Sequence, residues 1–344
     1  MKLVRTEDAV GQVLCHDITQ IIPGVVKDAV FRKGHIVTKE DIPVLLSVGK
    51  ENLYIWEKQE GMLHENEAAE ILRQICQGEH MHPSEVKEGK IELIADCEGV
   101  LKINTEKLNA VNNLGEMMIA SRHGNFPVKT GDKIAGTRII PLVIEEEKMQ
   151  KACEVAGKEP IFRILPYQKK KAGIVTTGSE VYYHRIEDKF TPVVIEKLKE
   201  CGVTEVKQIQ CNDDHEMIME AIQTLIEDGS DLIVCTGGMS VDPDDRTPLA
   251  IKNACMEVVT YGAPVLPGAM FMLAYCEKEG RQIPVMGLPG CVMYAKRTIF
   301  DLALPRLLAD DEITAEELAA LGEGGLCLNC SVCTYPNCGF GKGW

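Results

Sequence analysis

Residues 231–240 read DLIVCTGGMS, a short apolar run, Leu232 to Cys235, that stops at Thr236-Gly237-Gly238. A run this short, with its β-branched residues and an abrupt Gly turn, predicts a buried strand that ends at an open edge. The flanks repeat the theme. Upstream, HEMIMEAIQTLIEDG (215–229) has helical spacing and a glycine stop, with Gly229 as the C-cap. Before it, EVKQIQCNDD (205–214) reads as a strand, TPVVIEKLKECG (191–202) as an amphipathic helix, and KKKAGIVTTGSE (169–180) as a strand entering a Thr/Gly turn. Downstream, PLAIKNAC (248–255) is expected to be a helix. IPVMGLPGCVMYAKRTIFDLALPRLL (283–308) is expected to be a strand, a Gly-Pro-Gly turn and a long helix. Such alternation predicts an α/β domain over 168–310, with a mostly parallel sheet and helices on both faces. Ligands of such sheets bind beyond the carboxyl ends of the strands, where these turns would lie.

The remainder reads differently. Residues 1–165 form a β-rich α+β N-terminal region, either one domain or two small ones at 1–80 and 85–165. The pattern predicts helices at 40–48, 65–77, 105–111 and 146–157, a strand from Leu53 through Glu57, and strand-like runs at KIELIAD, VLKIN and TRIIPLVIEEE. The last segment, 322–344, is a Cys-rich tail.

Composition narrows the function. The chain has 344 residues, 45% of them hydrophobic and 26% charged, which suits a globular protein of two or three domains. Its 37 basic and 52 acidic residues leave a net charge of −15, so neither nucleic acid nor an anionic membrane is an expected partner. No apolar run is long enough to span a bilayer, and MKLVRTEDAV has no signal-peptide core, so a cytoplasmic location is expected. Ten of the 14 cysteines are scattered singly and read as small core residues.

Four turns carry the candidate chemistry. They are Thr176-Thr177-Gly178-Ser179-Glu180; Thr236-Gly237-Gly238-Met239-Ser240, leading to Asp242, Asp244 and Asp245; Pro267-Gly268; and Gly287-Leu288-Pro289-Gly290. Glycine lets backbone approach a ligand, Thr and Ser add hydroxyls, and amides at helix starts hold phosphate. Any one of these turns alone is more simply a loop or cap. Neither GxxxxGK[ST] nor GxGxxG occurs in them, which excludes the usual ATP and NAD loops.

Together, VTTGSEV, DLIVCTGGMSVDPDDRT, LPGAMF and VMGLPG resemble the molybdenum-cofactor biosynthesis domain shared by MoeA-type molybdotransferases and MogA-type adenylyltransferases. The resemblance covers about residues 170–310. It implies that Thr176, Thr177, Gly178, Ser179, Thr236, Gly237, Gly238, Ser240, Pro267, Gly268, Gly287, Pro289 and Gly290 hold molybdopterin or its adenylylated form. It also implies that Glu180, Asp213 or Asp214, and Asp245 lie on the catalytic side with Mg²⁺ and molybdate. The plainer reading of those acids is solvated loop residues or N-caps. By the same resemblance the chain is a Mg²⁺-dependent molybdopterin molybdotransferase.

GQVLCHDIT resembles the early part of MoeA-type enzymes, but their Ser-Ala-x-Asp-Gly-Tyr-Ala motif is missing and IIPGVVKDAVFRKGH stands in its place. In that family the motif completes a partner subunit's active site, so a homodimer is the implied assembly. Its absence supports a second reading, a carrier or sensor of the pterin that meets a molybdoenzyme or maturation factor. A third reading follows from the related CinA-type domain: a nucleotide pyrophosphatase. His16, His35, His123, His184 and His215 are isolated, and no Ser–His–Asp or Cys–His constellation is recognisable.

Finally, Cys327-x2-Cys330-x2-Cys333-x4-Cys338 precedes GFGKGW. Four thiols at this spacing can wrap one soft metal, zinc or an iron–sulfur cluster. A tail of reactive thiols, with nothing bound, is the plainer alternative. Residues 314–321 are expected to form a helix, with Gly322, Gly324 and Gly325 as a flexible link behind it.

Overall fold

The strand anticipated at 232–236 lies inside a six-stranded sheet, and its neighbours set the site. The structure is a computed structural model that describes residues 2–22, 26–55 and 60–343. Strand Leu232–Thr236 is flanked by Lys171–Thr176 on one side and Arg281–Leu288 on the other, both parallel to it. Glu205–Gln210 adds a further parallel strand next to Lys171–Thr176. Side chains of adjacent strand residues point to opposite faces. Ile174, Val234, Met286 and Leu288 therefore enter one buried cluster. Val175, Ile233, Cys235 and Val285 enter the other. Helix Phe190–Glu200 contributes Val194 and Leu198 to the first, and helix His215–Glu227 contributes Ile218, Ile222 and Leu225 to the second. Each fully buried aliphatic side chain contributes about 1.5–3 kcal/mol. This two-faced burial explains why the parallel strands read as continuous apolar runs. The α/β class and the helices on both faces are as expected.

The sheet also holds two strands that the sequence pattern did not suggest. Met272–Lys278 pairs antiparallel with Arg281–Leu288, and Glu257–Tyr261 pairs antiparallel with Met272–Lys278. A tight turn at Glu279-Gly280, both at positive φ, joins the hairpin. The long helix expected after the Gly-Pro-Gly turn is broken. A 3-10 turn covers Gly290–Met293, and the helix proper is Ile299–Leu308. The cause is a new N-terminus: the Thr298 hydroxyl accepts from Phe300 N at 3.2 Å, and Asp301 accepts from Thr298 N at 2.8 Å, which is a capping box. Two cysteines read as single core thiols, Cys255 and Cys276, instead form a disulfide. Helix Thr247–Ala254 ends beside strand Met272–Lys278 and leaves their Cα atoms 4.4 Å apart, within bridging range.

The chain divides into two compact units. One comprises residues 1–96, 103–122 and 131–163; the other comprises 97–102, 123–130 and 164–344. In the first unit, helix Glu65–Cys76 lays Ala68, Ala69 and Leu72 over a four-stranded antiparallel sheet that includes Lys90–Ala95 and Lys133–Ile139. His64 caps that helix: Nδ1 accepts from Asn66 N at 3.2 Å, and Glu67 accepts from His64 N at 2.9 Å. Helices Asp41–Ser47, Thr105–Asn112 and Glu146–Ala156 fall where expected. Of the strand expected from Leu53 to Glu57, Asn52–Ile55 is formed. Trp56 and Glu57 lie outside the described residues.

The tail departs from the flexible-link expectation. Helix Ala315–Ala320 forms, capped by Thr314. The glycines after it are fitted, not loose. A Cβ on Gly325 would meet the Pro264 carbonyl oxygen at 2.3 Å, and one on Gly341 would meet Leu302 at 2.4 Å. Phe340 is buried with Leu302 and Leu318 in the core of the same unit.

Candidate functional site

Strand register gathers the Thr/Gly turns. Thr176 lies opposite Thr236, and Thr236 opposite Leu288, so three turns leave the sheet side by side. The fourth joins them because Met272, at the start of its antiparallel strand, lies opposite Gly287. The Pro267 carbonyl then accepts from Ile299 N at 3.3 Å, and a Cβ on Gly268 would strike Ile299 at 2.5 Å. All four turns therefore share one edge of the sheet, as their sequence pattern predicts.

The first two turns are locked into each other. Thr177 donates its amide to the Thr236 carbonyl at 2.8 Å, and its hydroxyl lies 3.1 Å from the same oxygen and 3.0 Å from the Thr247 hydroxyl. Gly237 sits so close that a Cβ would lie 2.3 Å from the Thr177 oxygen; a Cβ on Gly238 would lie 2.6 Å from the Thr247 hydroxyl. Both glycines have positive φ, 85° and 56°. Glycine here answers both a conformational and a steric demand. On the outer side, the Thr176 hydroxyl bonds to that of Thr191 at 2.8 Å and accepts from Gln208 at 2.9 Å. Asp188, which also accepts from Gln208, has its carboxyl pKa lowered despite burial, by hydrogen bonds from Thr191, Phe190 and Gln208.

One group in this bonded edge is unsatisfied. The Thr236 hydroxyl is buried, at 1% exposure, and has no hydrogen-bond partner among the described residues. A buried hydroxyl left unpaired costs about 1–3 kcal/mol, so its survival calls for a reason.

The candidate acids separate by position. Asp213 reaches across to the first turn and accepts from Ser179 N at 2.8 Å. Asp214, its neighbour, is the N-cap of helix His215–Glu227 and accepts from Met217 N at 3.0 Å. Asp245 folds back to accept from Ser240 N at 2.9 Å. Glu180 is exposed, and its carboxylate makes no hydrogen bond or ion pair among the described residues. Asp242 and Asp244 are exposed in the same loop. Amides expected to be open for phosphate, Ser179 N and Ser240 N, are thus occupied by carboxylates. No three of the His, Cys, Asp and Glu side chains among the described residues are gathered closely enough to grip a metal.

Sequence reasoning missed Tyr261, whose hydroxyl donates to the Met239 carbonyl at 3.3 Å and whose pKa is raised by burial and by Asp245. No motif marks it, because it comes from the unpredicted edge strand. Two histidines have partners of their own: His35 bonds Asp41 at 2.7 Å, and His215 bonds Asn253 at 2.9 Å. Cys15 and His16 lie 3.7 Å apart in the first unit, but burial raises the thiol pKa and lowers the imidazole's, which opposes an activated ion pair.

Two family models match parts of the chain. Residues 3–57 match a domain of unknown function, and residues 173–309 match the family described as "Probable molybdopterin binding domain". A CinA-like protein of Mycobacterium tuberculosis is 35% identical over 85 residues, 25% of this chain and 20% of that protein. The chain thus spans about a fifth of the length of these curated relatives. Among solved structures, the tungsten cofactor synthesizing protein MoaB from Pyrococcus furiosus is 19% identical, covering 42% of this chain and 89% of that one at a TM-score of 0.32. The protein CinA from Thermoplasma acidophilum is 16% identical, covering 40% and 98% at 0.34. No helix among the described residues is long and apolar enough to cross a membrane. The family match falls on the six-stranded sheet and its turns.

Proposed function

We propose that the shared edge of the sheet binds molybdopterin, or its adenylylated form, and that the chain acts in molybdenum-cofactor biosynthesis as a Mg²⁺-dependent molybdotransferase. The observation that carries this reading is the unpaired, buried Thr236 hydroxyl at the point where the turns converge. A pterin phosphate or amide would supply the missing partner. Molybdate is then a second substrate, and AMP leaves when the adenylylated form is consumed.

The carboxylates give the edge its chemistry. Without ligand, Asp213 and Asp245 hold the Ser179 and Ser240 amides. A phosphate competes for those amides, and the displaced carboxylates become available to the Mg²⁺ that accompanies it. Glu180, already free, is a further ligand for that cation. Asp214 keeps its capping role. Within this proposal residues 168–310 are the ligand-binding domain, residues 1–165 are a β-rich accessory region, and 322–344 is a metal-binding segment packed on the unit that holds the sheet. A cytoplasmic location and a homodimer complete it.

The test is product release. The purified chain is mixed with adenylylated molybdopterin, Mg²⁺ and molybdate, and AMP is measured. The reading expects AMP only when molybdate is present, and at least a hundredfold loss in Glu180→Ala and Asp245→Ala with pterin binding retained. AMP without molybdate, or hydrolysis of simple dinucleotides, favours the pyrophosphatase reading that the identity to CinA-like proteins keeps alive. Tight pterin binding with no AMP at all favours a carrier.

A further inference from the structure

The four tail cysteines lie around one cavity in the C-terminal unit. It has a volume of about 380 Å³, and Cys327, Cys330, Cys333 and Cys338 all line it, with Lys296 and Arg297. We propose that this cavity holds a [4Fe–4S] cluster ligated by these four cysteines.

Three observations support the assignment. First, the segment is bolted down at both ends, so the thiols are placed rather than scattered. Cys327 N donates to the Leu266 carbonyl at 2.8 Å, and the Gly325 carbonyl accepts from Leu266 N at 2.8 Å. At the far end the Tyr335 hydroxyl donates to the Asp301 carbonyl at 2.9 Å, under the Arg297 guanidinium 5.2 Å from the ring centre. Phe340, buried beyond it, fixes Cys338 from the other side. Cys338 is thereby brought to the cavity of the CxxCxxC run. In two-cluster ferredoxins the fourth cysteine of a similar run serves a different cluster.

Second, the space suits a cluster. A cubane is larger than a single zinc ion and brings its own sulfides, so it needs room between its four thiolates, and all four cysteines stand on one cavity. All four cysteines line the cavity, and among the described residues no three are close enough to hold a metal ion as placed. Cys330 and Cys333 are exposed, on the stretch of tail between its two anchored ends. They can move inward when a centre arrives, at the small entropic cost of closing loops of two and four residues.

Third, the charge is right. A cluster with four thiolates is anionic, and Lys296 stands at the wall. It donates to the Cys330 and Ser331 carbonyls at 3.3 and 2.9 Å and pairs with no carboxylate among the described residues. In a chain of net charge −15, a lysine with no carboxylate partner among the described residues, beside four thiols, is a counter-charge placed for an anion.

The full-length chain, purified without oxygen and stripped by chelation, is offered ferrous iron with sulfide in one arm and Zn²⁺ alone in the other. The proposal expects about four iron and four sulfide per chain, a broad charge-transfer absorption that dithionite bleaches, and an electron-paramagnetic signal in the reduced protein. The exposed pair allows a clean control: Cys330→Ser/Cys333→Ser should keep its circular dichroism and melting profile while losing the absorption and most of the iron. Three results would overturn it: no iron and sulfide uptake, one tightly held Zn²⁺ with the iron arm colourless, or unchanged uptake in the double variant.

Discussion

The turn edge and the cysteine tail, the two places where we propose that ligands bind, are built by opposite means. At the edge, the sheet does the placing: parallel register brings Thr176, Thr236 and Leu288 into line, and backbone hydrogen bonds fix the turns to within the tolerance of the ladder. In the tail, no sheet helps beyond a single bridge between Leu266 and Leu326, and side chains do the placing through Tyr335, Phe340 and the fitted glycines. The edge is therefore fixed by its backbone, with one buried hydroxyl unpaired among the described residues. The tail is anchored at its ends with its middle thiols exposed. Preorganisation of the first kind favours a large, shaped organic ligand. The second suits a centre that completes its own site by coordination.

The comparison is most strongly tested at the shared support. Lys197 Nζ lies 2.7 and 2.9 Å from the Asp301 carboxylate oxygens, both residues are buried, and Arg297 and Thr298 N also bond to that carboxylate. Asp301→Ala strands a buried lysine, and a loss of about 3–5 kcal/mol is expected in urea unfolding. Tail order should fall with it, since the Asp301 carboxylate also holds Arg297, whose guanidinium lies 5.2 Å from the Tyr335 ring centre. A loss below about 1 kcal/mol would mean that the ion pair does not support the tail.

Smaller effects separate the edge from its surroundings. Gly237→Ala pushes a Cβ against the Thr177 oxygen at positive φ, for an expected cost of about 2–4 kcal/mol. Gly229→Ala meets nothing within 4 Å, so only the left-handed backbone cost of about 1–2 kcal/mol remains. Equal losses would remove the claim that the edge is sterically locked. Smaller again is the contrast between two adjacent acids. Asp214→Ala should cost about 1 kcal/mol as a lost cap and leave pterin affinity unchanged. Asp213→Ala should alter pterin affinity in calorimetric titration, because its carboxylate holds Ser179 N. Indistinguishable affinities in the two variants would deny Asp213 its place in the site.

Much of the edge was legible because local chemistry and fold agree there. Apolar runs that end in Thr/Gly turns announce buried parallel strands, and their alternation with helices fixes which edge the turns occupy. What was not legible depends on distant partners. Asp213 and Asp214 are equivalent in sequence, and only the first turn, 34 positions upstream, separates them. The antiparallel strand Met272–Lys278 was missed although Pro267-Gly268 and Glu279-Gly280 bracket it, because its apolar run does not alternate and periodicity alone does not separate a buried strand from a helix. The helix break before Ile299 came from a capping box at Thr298 that the apolar pattern masked. Gly324 and Gly325 read as a loose link because composition does not show that Pro264 and Leu321 press against Gly325.

The central claim, that the Thr/Gly edge binds a pterin, turns on the Thr236 hydroxyl, and Thr236→Val tests it with two signs. Valine keeps the shape and removes the unpaired hydroxyl. Without ligand the variant should be more stable than the parent by about 1 kcal/mol in urea unfolding. Titrated with molybdopterin, it should bind at least about fivefold more weakly, the equivalent of one net hydrogen bond. Higher stability together with weaker binding is the predicted result. A variant that binds molybdopterin as tightly as the parent would contradict the account.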